Sequence, residues 1–498
     1  AAFGAPLGGV LFALEEGASF WNARVLLRTF VCAAVSALTL NFFLVGASGT
    51  MSWGSLGALG VLTFGSSLES DTTSYRIWEL PIFVAMGALG GLLGALFNAL
   101  NTRLTRWRMR FIGPRGLRRF LEVLVVSAVV ASALLAVPLC AGTCYVPTVD
   151  SGRRGSWIAC DPPGADSAFA STVGLFVAPG EDSIKVLLHD PTEFHSGLLA
   201  AFAALYFALA CWTYGLGVPS GLFVPSLLVG SVLGRLCGQL LRSMLGTAVV
   251  VPGGYALIGA SASLAGMARI TISLAVILVE ATGNTQWTLP ILFTVVAART
   301  VGNLFNRGIY DIHIGLKHVP LLEESPAPGL ERLRAAEAAA REPVALQRLA
   351  AVRDVAAALE RSPHNAFPVL EPDTQRLCGM VQRGPLQHVL KLGYLHGAFH
   401  EPQAAAEPPQ AAVPPAQAPR WPPLHEALQA LRPEDLRLQV DLGPYVDRGA
   451  PVVREGATLR RAYRLFRALG LRHLPVLRED GCVAGILTRK DFIDAQHR

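Results

Sequence analysis

Long stretches without a charged residue dominate the first part of the chain. Residues 81–100, 123–140 and 196–234 each approach or exceed the roughly 20 apolar residues that a helix needs to cross a bilayer. After Val319 the sequence becomes charged, Ala-rich and Pro-rich. Such sequence cannot span lipid, because its polar groups would lie in hydrocarbon without partners. The pattern predicts a multi-pass α-helical membrane domain over residues 1–320, followed by a soluble C-terminal domain.

The soluble part contains two similar segments. AFPVL at 366–370 is followed by GMVQRGPL at 379–386, and HLPVL at 473–477 is followed by GILTRKDF at 485–492. Each segment has the order of an apolar strand, a polar turn, a second strand and a helix start. The repeat predicts a pair of α/β modules, at 321–400 and 425–498. Between them, residues 401–424 are rich in Pro and Ala and predict a flexible linker.

The formal net charge of +6 is unevenly distributed. Arginines crowd residues 103–119 between two predicted spans, which is typical of a cytoplasmic loop and argues against a nucleic-acid partner. The next loop, about 141–195, then lies on the opposite side of the membrane, and it is rich in acidic residues. Cys144 and Cys160 lie in this loop, where oxidation is permitted, so we expect a disulfide between them.

Glycine and proline interrupt the apolar sequence at Gly217–Pro225. Irregular backbone at membrane depth survives where it is buried or lines a cavity. A helix that begins here directs backbone N–H groups, those of Leu222 and Phe223 among them, toward the middle of the bilayer. These groups and the positive helix end suit an anion. The alternative is a proline kink within one long helix.

Two further features carry candidate chemistry. Glu15 and Glu16 end a short apolar segment, and one of them is a candidate for passing protons, since an acid near the membrane interior is often functional. The alternative is a pair of solvated acids at the membrane surface. Tyr310 lies where the apolar part ends, as a hydroxyl donor to a bound anion or as an interfacial anchor.

Several segments, taken together and in order, resemble the CLC family of chloride channels and transporters. They are GAPLGGVLFALEEGASFWN at 4–22, ACWTYG at 210–215, GLFVP at 221–225 and Tyr310. The resemblance implies the CLC inverted-repeat fold, represented by its second half and part of its first. It also implies that the Leu222 and Phe223 amides and the Tyr310 hydroxyl bind chloride, that Glu16 transfers protons, and that the protein is a homodimer in membrane lipid.

The same resemblance bears on activity and location. EEGASFWN, ACWTYG and GIYDIH are similar to the intracellular members of the family, which are exchangers of lysosomes and late endosomes. The implied function is a chloride/proton antiporter subunit that exchanges cytosolic chloride against lumenal protons, with a cytoplasmic C-terminus and no enzymatic activity. The alternatives are a passive voltage-gated chloride channel and a non-transporting, truncated subunit. The family's GSGIP and GREGP segments are expected upstream of residue 1, so the chain looks N-terminally truncated.

The lumenal loop and the second module suggest partners. Residues 141–195 contain no Asn, so they cannot carry N-glycans. This favours the lysosomal branch, whose member is shielded by a glycosylated β-subunit, osteopetrosis-associated transmembrane protein 1. Thr488, Arg489, Lys490 and Asp491 resemble the nucleotide signature of CBS modules, which implies regulatory ATP or another adenine nucleotide, with Asp491 accepting from the ribose. The alternative is a helix cap on a structural module.

Overall fold

A computed structural model gives the architecture of most of the chain. It describes residues 4–18, 23–47, 75–113, 116–141, 175–176, 178–189, 194–246, 250–317, 319, 321–323, 325–341, 343–393, 398–401 and 421–496. The chain divides into two compact units, Ala1–His318 and Val319–Arg498. The first is helical in its described residues, and the second contains all of the described strands.

Eleven α-helices are described in the first unit. They are α1 (Pro6–Phe12), α2 (Ala23–Ala47), α3 (Leu80–Phe111), α4 (Gly116–Ala141), α5 (Gly180–His189), α6 (Ser196–Thr213), α7 (Phe223–Leu245), α8 (Pro252–Ala268), α9 (Ile272–Thr282), α10 (Thr288–Asn303) and α11 (Ile309–Leu316). A π-helical turn, Ala13–Gly17, extends α1, and short 3₁₀ turns at Ile77–Glu79 and Thr285–Trp287 precede α3 and α10.

Five of the described helical segments are long and apolar enough to cross a membrane. They are Ala23–Leu40, Ile77–Phe111, Gly116–Ala136, Ser196–Thr213 and Phe223–Leu245. The apolar run 196–234 is therefore two helices, because α6 ends at Thr213 and α7 begins at Phe223. A single kinked helix through Gly217–Pro225, one of the two sequence interpretations, is wrong.

Small residues allow α3, α7 and α8 to pack backbone against backbone. A methyl group added at Gly94 of α3 would overlap the backbone of Gly266 in α8, and one at Gly230 of α7 would overlap that of Gly259 in α8. Close approach of this kind is the usual way in which membrane helices associate, since lipid offers no hydrophobic driving force between them. All 17 residues of α8 are buried, so it forms the centre of the unit.

The second unit contains ten strands and six helices in its described residues. The strands are β1 (Ala340–Arg341), β2 (Leu346–Gln347), β3 (Leu349–Ala351), β4 (Ala366–Leu370), β5 (Leu377–Gln382), β6 (Phe399–His400), β7 (Gln439–Asp441), β8 (Val453–Arg454), β9 (Leu474–Leu477) and β10 (Val483–Leu487). The helices are α12 (Ala335–Ala338), α13 (Val352–Arg361), α14 (Arg383–Leu392), α15 (Leu424–Gln429), α16 (Leu459–Ala468) and α17 (Arg489–Gln496).

The predicted repeat of strand, turn, strand and helix is confirmed in both modules. β4 pairs antiparallel with β5 before α14, and β9 pairs antiparallel with β10 before α17. Each of these hairpins gains a parallel strand, β2 beside β4 and β8 beside β9. The sheet orders are β2-β4-β5, β1-β10-β9-β8 and β3-β7-β6.

The two hydrophobic cores divide the chain differently from the sequence boundaries. Ala427, Val440 and Leu442 lie in the first core, although the sequence places them in the second module. Leu330 and Ala335, which the sequence places in the first module, lie in the second core with Phe466 and Phe492. We therefore propose that the first module extends to about residue 446. Residues 402–420, most of the predicted linker, lie outside the described residues.

Candidate functional site

The break between α6 and α7 places a helix N-terminus inside the first unit. Leu222 is the N-cap of α7 and is 4% exposed. The Ser226 hydroxyl donates to the carbonyl oxygens of Leu222 at 2.7 Å and Phe223 at 2.9 Å, which secures the first turn. The N–H groups of a first helical turn point out of the helix end and carry partial positive charge. This end can therefore face an anion without a buried cation.

Tyr310 lies beside this helix end. It occupies the first turn of α11, directly after the fully buried Ile309. Leu222 and Ile309 belong to one small cluster of buried side chains, and Tyr214 and Tyr310 pack against it. Phe223 and Tyr310 also contact the main core of the unit. The structure thus brings together the three residues that the sequence predicts for the anion site.

A polar network holds α11 against α3 and α6. The amide nitrogen of Asn101, in α3, donates to the carbonyl oxygens of Cys211 at 3.0 Å and Tyr214 at 2.8 Å. Its oxygen lies 2.9 Å from Nε2 of His313, in α11. Because the amide oxygen is an acceptor, His313 carries a proton on Nε2 and donates it. The His313 ring also packs edge-on against the Tyr214 ring. His313 thus ties the helix that carries Tyr310 to both neighbours.

Arg108 continues the network toward the end of α3. Its guanidinium donates to the carbonyl oxygen of Tyr214 at 2.9 Å and to that of Trp212, and it forms a 2.7 Å ion pair with Glu122 of α4. Arg108 is 6% exposed, so the pair and the two carbonyls compensate for burying its charge. The carbonyl oxygens at the C-terminus of α6 therefore accept hydrogen bonds from side chains of α3.

The two adjacent glutamates have different surroundings. Thr271 donates its N–H at 2.8 Å and its hydroxyl at 2.5 Å to one carboxylate oxygen of Glu15. Ser273 donates its N–H at 3.0 Å and its hydroxyl at 2.5 Å to the other. Glu16 makes no hydrogen bond to any described residue, and its side chain is exposed within the single chain. Of the pair, Glu16 is therefore the carboxylate that can exchange a proton with water.

A third carboxylate, that of Glu280, also links α1 and α9. Glu280 lies near the end of α9 and accepts from the backbone N–H groups of Leu7 at 3.2 Å and Gly8 at 2.8 Å. These N–H groups lie in the first turn of α1 and have no partner within their own helix. Glu280 thus caps α1, while Glu15 caps α9.

The predicted nucleotide signature lies at the start of α17. The backbone N–H and the hydroxyl of Thr488 donate to one oxygen of Asp491, at 2.6 and 2.7 Å. This is the geometry of a helix cap, the alternative interpretation of these residues. The other Asp491 oxygen accepts no hydrogen bond from a described residue, and Arg489 and Lys490 are exposed. A cap and a ribose contact can coexist in this arrangement.

Arg383, the first-module counterpart of Arg489, stabilises the structure of the first module. Arg383, which follows β5 as Arg489 follows β10, donates to the carbonyl oxygens of Leu359, Ser362 and His364 at 2.5 to 3.2 Å. These bonds satisfy the end of α13. In the same region, burial lowers the pKa of His473, and the charges of His364 and Arg472 lower it further. The imidazole is therefore uncharged at neutral pH.

Sequence reasoning missed Asn101, His313 and Glu280. A signal for the first exists in α3, where the polar residues Asn98, Asn101, Thr105 and Arg108 recur at helical spacing on one face of the helix. Polar residues in such a segment face the protein interior. The disulfide predicted between Cys144 and Cys160 lies outside the described residues, as does the rest of the loop from 142 to 174.

A protein-family sequence model described as "Voltage gated chloride channel" matches residues 1–303, which is more than half of the chain. The chain belongs to this family, the CLC family. A CBS domain model matches residues 442–498. The fold resembles that in a crystal structure of a eukaryotic CLC transporter, with a TM-score of 0.59 and 24% identity over 98% of this chain and 67% of that one. The predicted fold class, a CLC membrane unit followed by a C-terminal CBS region, is confirmed.

The curated relatives within the CLC family include exchangers. The H(+)/Cl(-) exchange transporter 7 of Mus musculus is 39% identical over 99% of this chain and 61% of its own length. The human protein of the same name matches with the same figures. Chloride channel protein CLC-d of Arabidopsis thaliana is 32% identical over 99% of this chain and 64% of its own length. The chain thus spans about three-fifths of the length of the exchangers that it matches.

Proposed function

We propose that this chain is a subunit of a chloride/proton antiporter, which exchanges cytosolic chloride against lumenal protons across a lysosomal or late endosomal membrane. The observation that carries the proposal is the contrast between the paired carboxylates. Four hydrogen bonds hold Glu15, whereas Glu16 makes none to a described residue. A passive channel has no need of a free acid beside its anion pathway. The relatives named as H(+)/Cl(-) exchange transporters support the same activity.

In this proposal the two ions use neighbouring groups. Chloride lies at the N-terminus of α7, where the amides of Leu222 and Phe223 and the hydroxyl of Tyr310 donate to it. Glu16 takes up protons from the cytoplasmic side. A carboxylate charge acts over several ångströms in a protein interior. We therefore expect proton occupancy of Glu16 and anion occupancy beside Tyr310 to influence one another.

The test is Glu16→Ala in the full-length protein, reconstituted in liposomes with both ion fluxes measured. We expect proton movement to be lost while part of the chloride flux remains, because the anion site keeps its groups. Glu181→Gln in α5 is the matched control, since that acid makes no hydrogen bond to a described residue and is not among the groups assigned to either ion. Undiminished proton flux in Glu16→Ala would favour the passive channel.

We further propose that the cytoplasmic unit binds an adenine nucleotide, with Asp491 accepting from the ribose hydroxyls. Hydrogen bonds to a charged group contribute about 1.5 to 3 kcal/mol, so Asp491→Ala should weaken ATP binding by roughly ten- to a hundredfold. Isothermal titration of the protein with ATP measures this. Thr488→Val removes one of the two capping bonds but keeps the carboxylate, and should change the affinity far less. Equal affinities in wild type and Asp491→Ala would leave Asp491 a helix cap.

The assembly belongs to the same proposal. We infer a homodimer in which each subunit has its own pathway, accompanied by a glycosylated β-subunit such as osteopetrosis-associated transmembrane protein 1. The absence of Asn from residues 141–195 supports the β-subunit, because this loop cannot carry its own N-glycans. Co-purification of the full-length protein with that β-subunit from lysosomal membranes tests the inference, and a protein recovered without it would contradict it.

A further inference from the structure

Hydrogen bonds join the helices α1 and α9 at both of their ends. Glu280, near the C-terminus of α9, accepts from Leu7 and Gly8 at the N-terminus of α1. Glu15, just past the C-terminus of α1, accepts from Thr271 and Ser273 at the N-terminus of α9. The helices therefore run antiparallel, and each supplies a carboxylate to the other's first turn.

The two helices also cross closely. A methyl group added at Gly8 would overlap the backbone of Ile277 in the middle of α9. Ser273 and Ile277 are buried at this contact, whereas Leu7 and Ile272 are more than half exposed. The carboxylate bonds thus lie at both ends of one tight helix crossing, where they fix the register of the pair.

The arrangement is reciprocal at the level of sequence. Aligning Glu15 with Glu280, without a gap, places Gly8 opposite Ser273, and the N–H groups of both donate to a carboxylate. The same alignment places Pro6 opposite Thr271. Because proline has no N–H, the next residue, Leu7, donates in its place. The two helices therefore use one capping device twice.

The alignment also shows where the two helices differ. Glu16 falls opposite Ala281, which is 5% exposed and carries no charge. Successive helical side chains are rotated by roughly a quarter turn from each other. When Glu15 is fixed on α9, the carboxylate of Glu16 is directed elsewhere. The extra acid is thus oriented by the bonds of its neighbour.

We propose that Glu15 and Glu280 form a reciprocal carboxylate clamp and act as positioning residues that orient Glu16 for proton transfer. This inference rests on the function proposed above. Carboxylates suit the role because all of the groups that meet them are donors: two N–H and two O–H at Glu15, and two N–H at Glu280. An amide in place of either carboxylate would turn an NH₂ group toward an N–H donor.

The experiment compares Glu15→Gln, Glu280→Gln and the control Glu181→Gln in the full-length protein. The protons moved per chloride are measured in liposomes, together with deuterium exchange at the α1 amides. The loss of about one charge-assisted hydrogen bond corresponds to a roughly tenfold change in an equilibrium constant. We therefore expect the proton-to-chloride ratio to fall by about tenfold in Glu15→Gln and by a smaller factor in Glu280→Gln. Exchange at Leu7 and Gly8 should rise in Glu280→Gln, and Glu181→Gln should match wild type.

The double variant tests whether the two ends act as one device. Because both carboxylates hold the same crossing, Glu15→Gln combined with Glu280→Gln should lower the ratio by less than the product of the single effects. Independent contributions would multiply. If Glu15→Gln does not fold, Ser273→Ala takes its place, because it removes one hydroxyl donor and keeps the backbone N–H. A smaller fall in the ratio is then expected.

The outcomes separate this proposal from the one on which it rests. A wild-type ratio in Glu15→Gln, Glu280→Gln and Ser273→Ala, with faster exchange at Leu7 and Gly8, would overturn the positioning role and leave a purely structural clamp. The antiporter would then stand on Glu16 alone. An undiminished ratio in Glu16→Ala would instead remove the proton role of Glu16, and with it the function that the clamp serves.

Discussion

At the scale of single residues, Asn101 joins three helices beside the proposed anion site, namely α3, α6 and α11. It is fully buried, its amide nitrogen donates to two carbonyls at the end of α6, and its oxygen accepts from His313 in α11. A buried donor or acceptor that loses its partner costs about 1 to 3 kcal/mol. The Asn101 amide thus contributes to the placement of the helix that carries Tyr310.

Asn101→Leu tests this contribution, because leucine has a similar branched shape and no hydrogen-bonding group. We expect the variant to unfold at a lower temperature in detergent, and to bind chloride more weakly because α11 loses its tie to α3. Thermal unfolding and titration calorimetry measure the two effects. Asn303→Leu is the control, since Asn303 lies exposed in the last turn of α10. An unchanged chloride affinity in Asn101→Leu would mean that Tyr310 is positioned by packing alone.

The residue scale also marks the limit of prediction from sequence. Leu222 and Phe223 are candidates for the anion site on chemical grounds, because a helix that begins at Gly217–Pro225 has free N–H groups, whereas Tyr310 was assigned to that site by resemblance. The assignment of the proton role to Glu16 and not Glu15 rested on resemblance, since their positions in the sequence do not distinguish the two acids. Their difference arises from Thr271 and Ser273, which are distant in sequence and adjacent in space. A contact between residues so far apart in sequence cannot be predicted from a local sequence pattern.

At the scale of elements, the crossing of α3 and α8 depends on glycine. Gly94 and Gly266 face each other so closely that a methyl group on Gly94 would overlap the backbone of α8. Backbone cannot yield as a flexible side chain can, so the two helices would have to separate. Overpacking of a tight interior costs about 1 to 3 kcal/mol, and occasionally more.

Gly94→Ala should therefore destabilise the membrane unit by at least that amount, although alanine is the better helix former. Gly9→Ala in α1 is the matched control, because nothing lies within 4 Å of the added methyl group. There we expect no loss, or a gain of about 0.5 to 1 kcal/mol from helix propensity. Thermal unfolding of both variants in the same detergent measures the difference. Equal midpoints would show that α3 and α8 can separate freely.

Elements with a strong local signal were predicted well. The strand, turn, strand and helix order of both modules is confirmed, because alternating turn and apolar residues determine it locally. The break within 196–234 was left open, since a proline fits both a kink and a new helix. Burial of Leu222 and the bonds of Ser226 decide it, and these depend on α8 and α11 packing around the break.

At the scale of the whole molecule, the second unit has two main cores that the chain enters out of order. Leu330 is fully buried in the second core, with Phe466 and Phe492, although the first-core residues 346–442 lie between them in sequence. Module boundaries drawn from the repeat cannot reveal this, because residues 321–339 do not belong to the repeated segment. They nevertheless complete the core of the distant module.

Leu330→Ala in the full chain tests this partition. Truncation of a fully buried leucine costs about 2 to 5 kcal/mol, so unfolding of the second unit should shift clearly to lower denaturant concentration. Leu321→Ala is the control, because Leu321 is 41% exposed and lies outside the described cores. Its effect should stay within about 0.5 kcal/mol. If the two variants behave alike, residues 321–339 are not part of the second core.

The out-of-order cores have a consequence for synthesis. The first core, which reaches about residue 446, can close while residues 453–495 of the second core are still to be added. Leu330 and Ala335 have by then emerged, about 160 residues ahead of Phe492. At 5 to 20 residues per second, this apolar stretch waits roughly ten to thirty seconds without its partners. A stop codon between the codons for Val446 and Phe492 would leave it uncovered permanently, and chaperones and proteases recognise such a surface. A nonsense variant of this kind should therefore be removed by quality control before it reaches its destination.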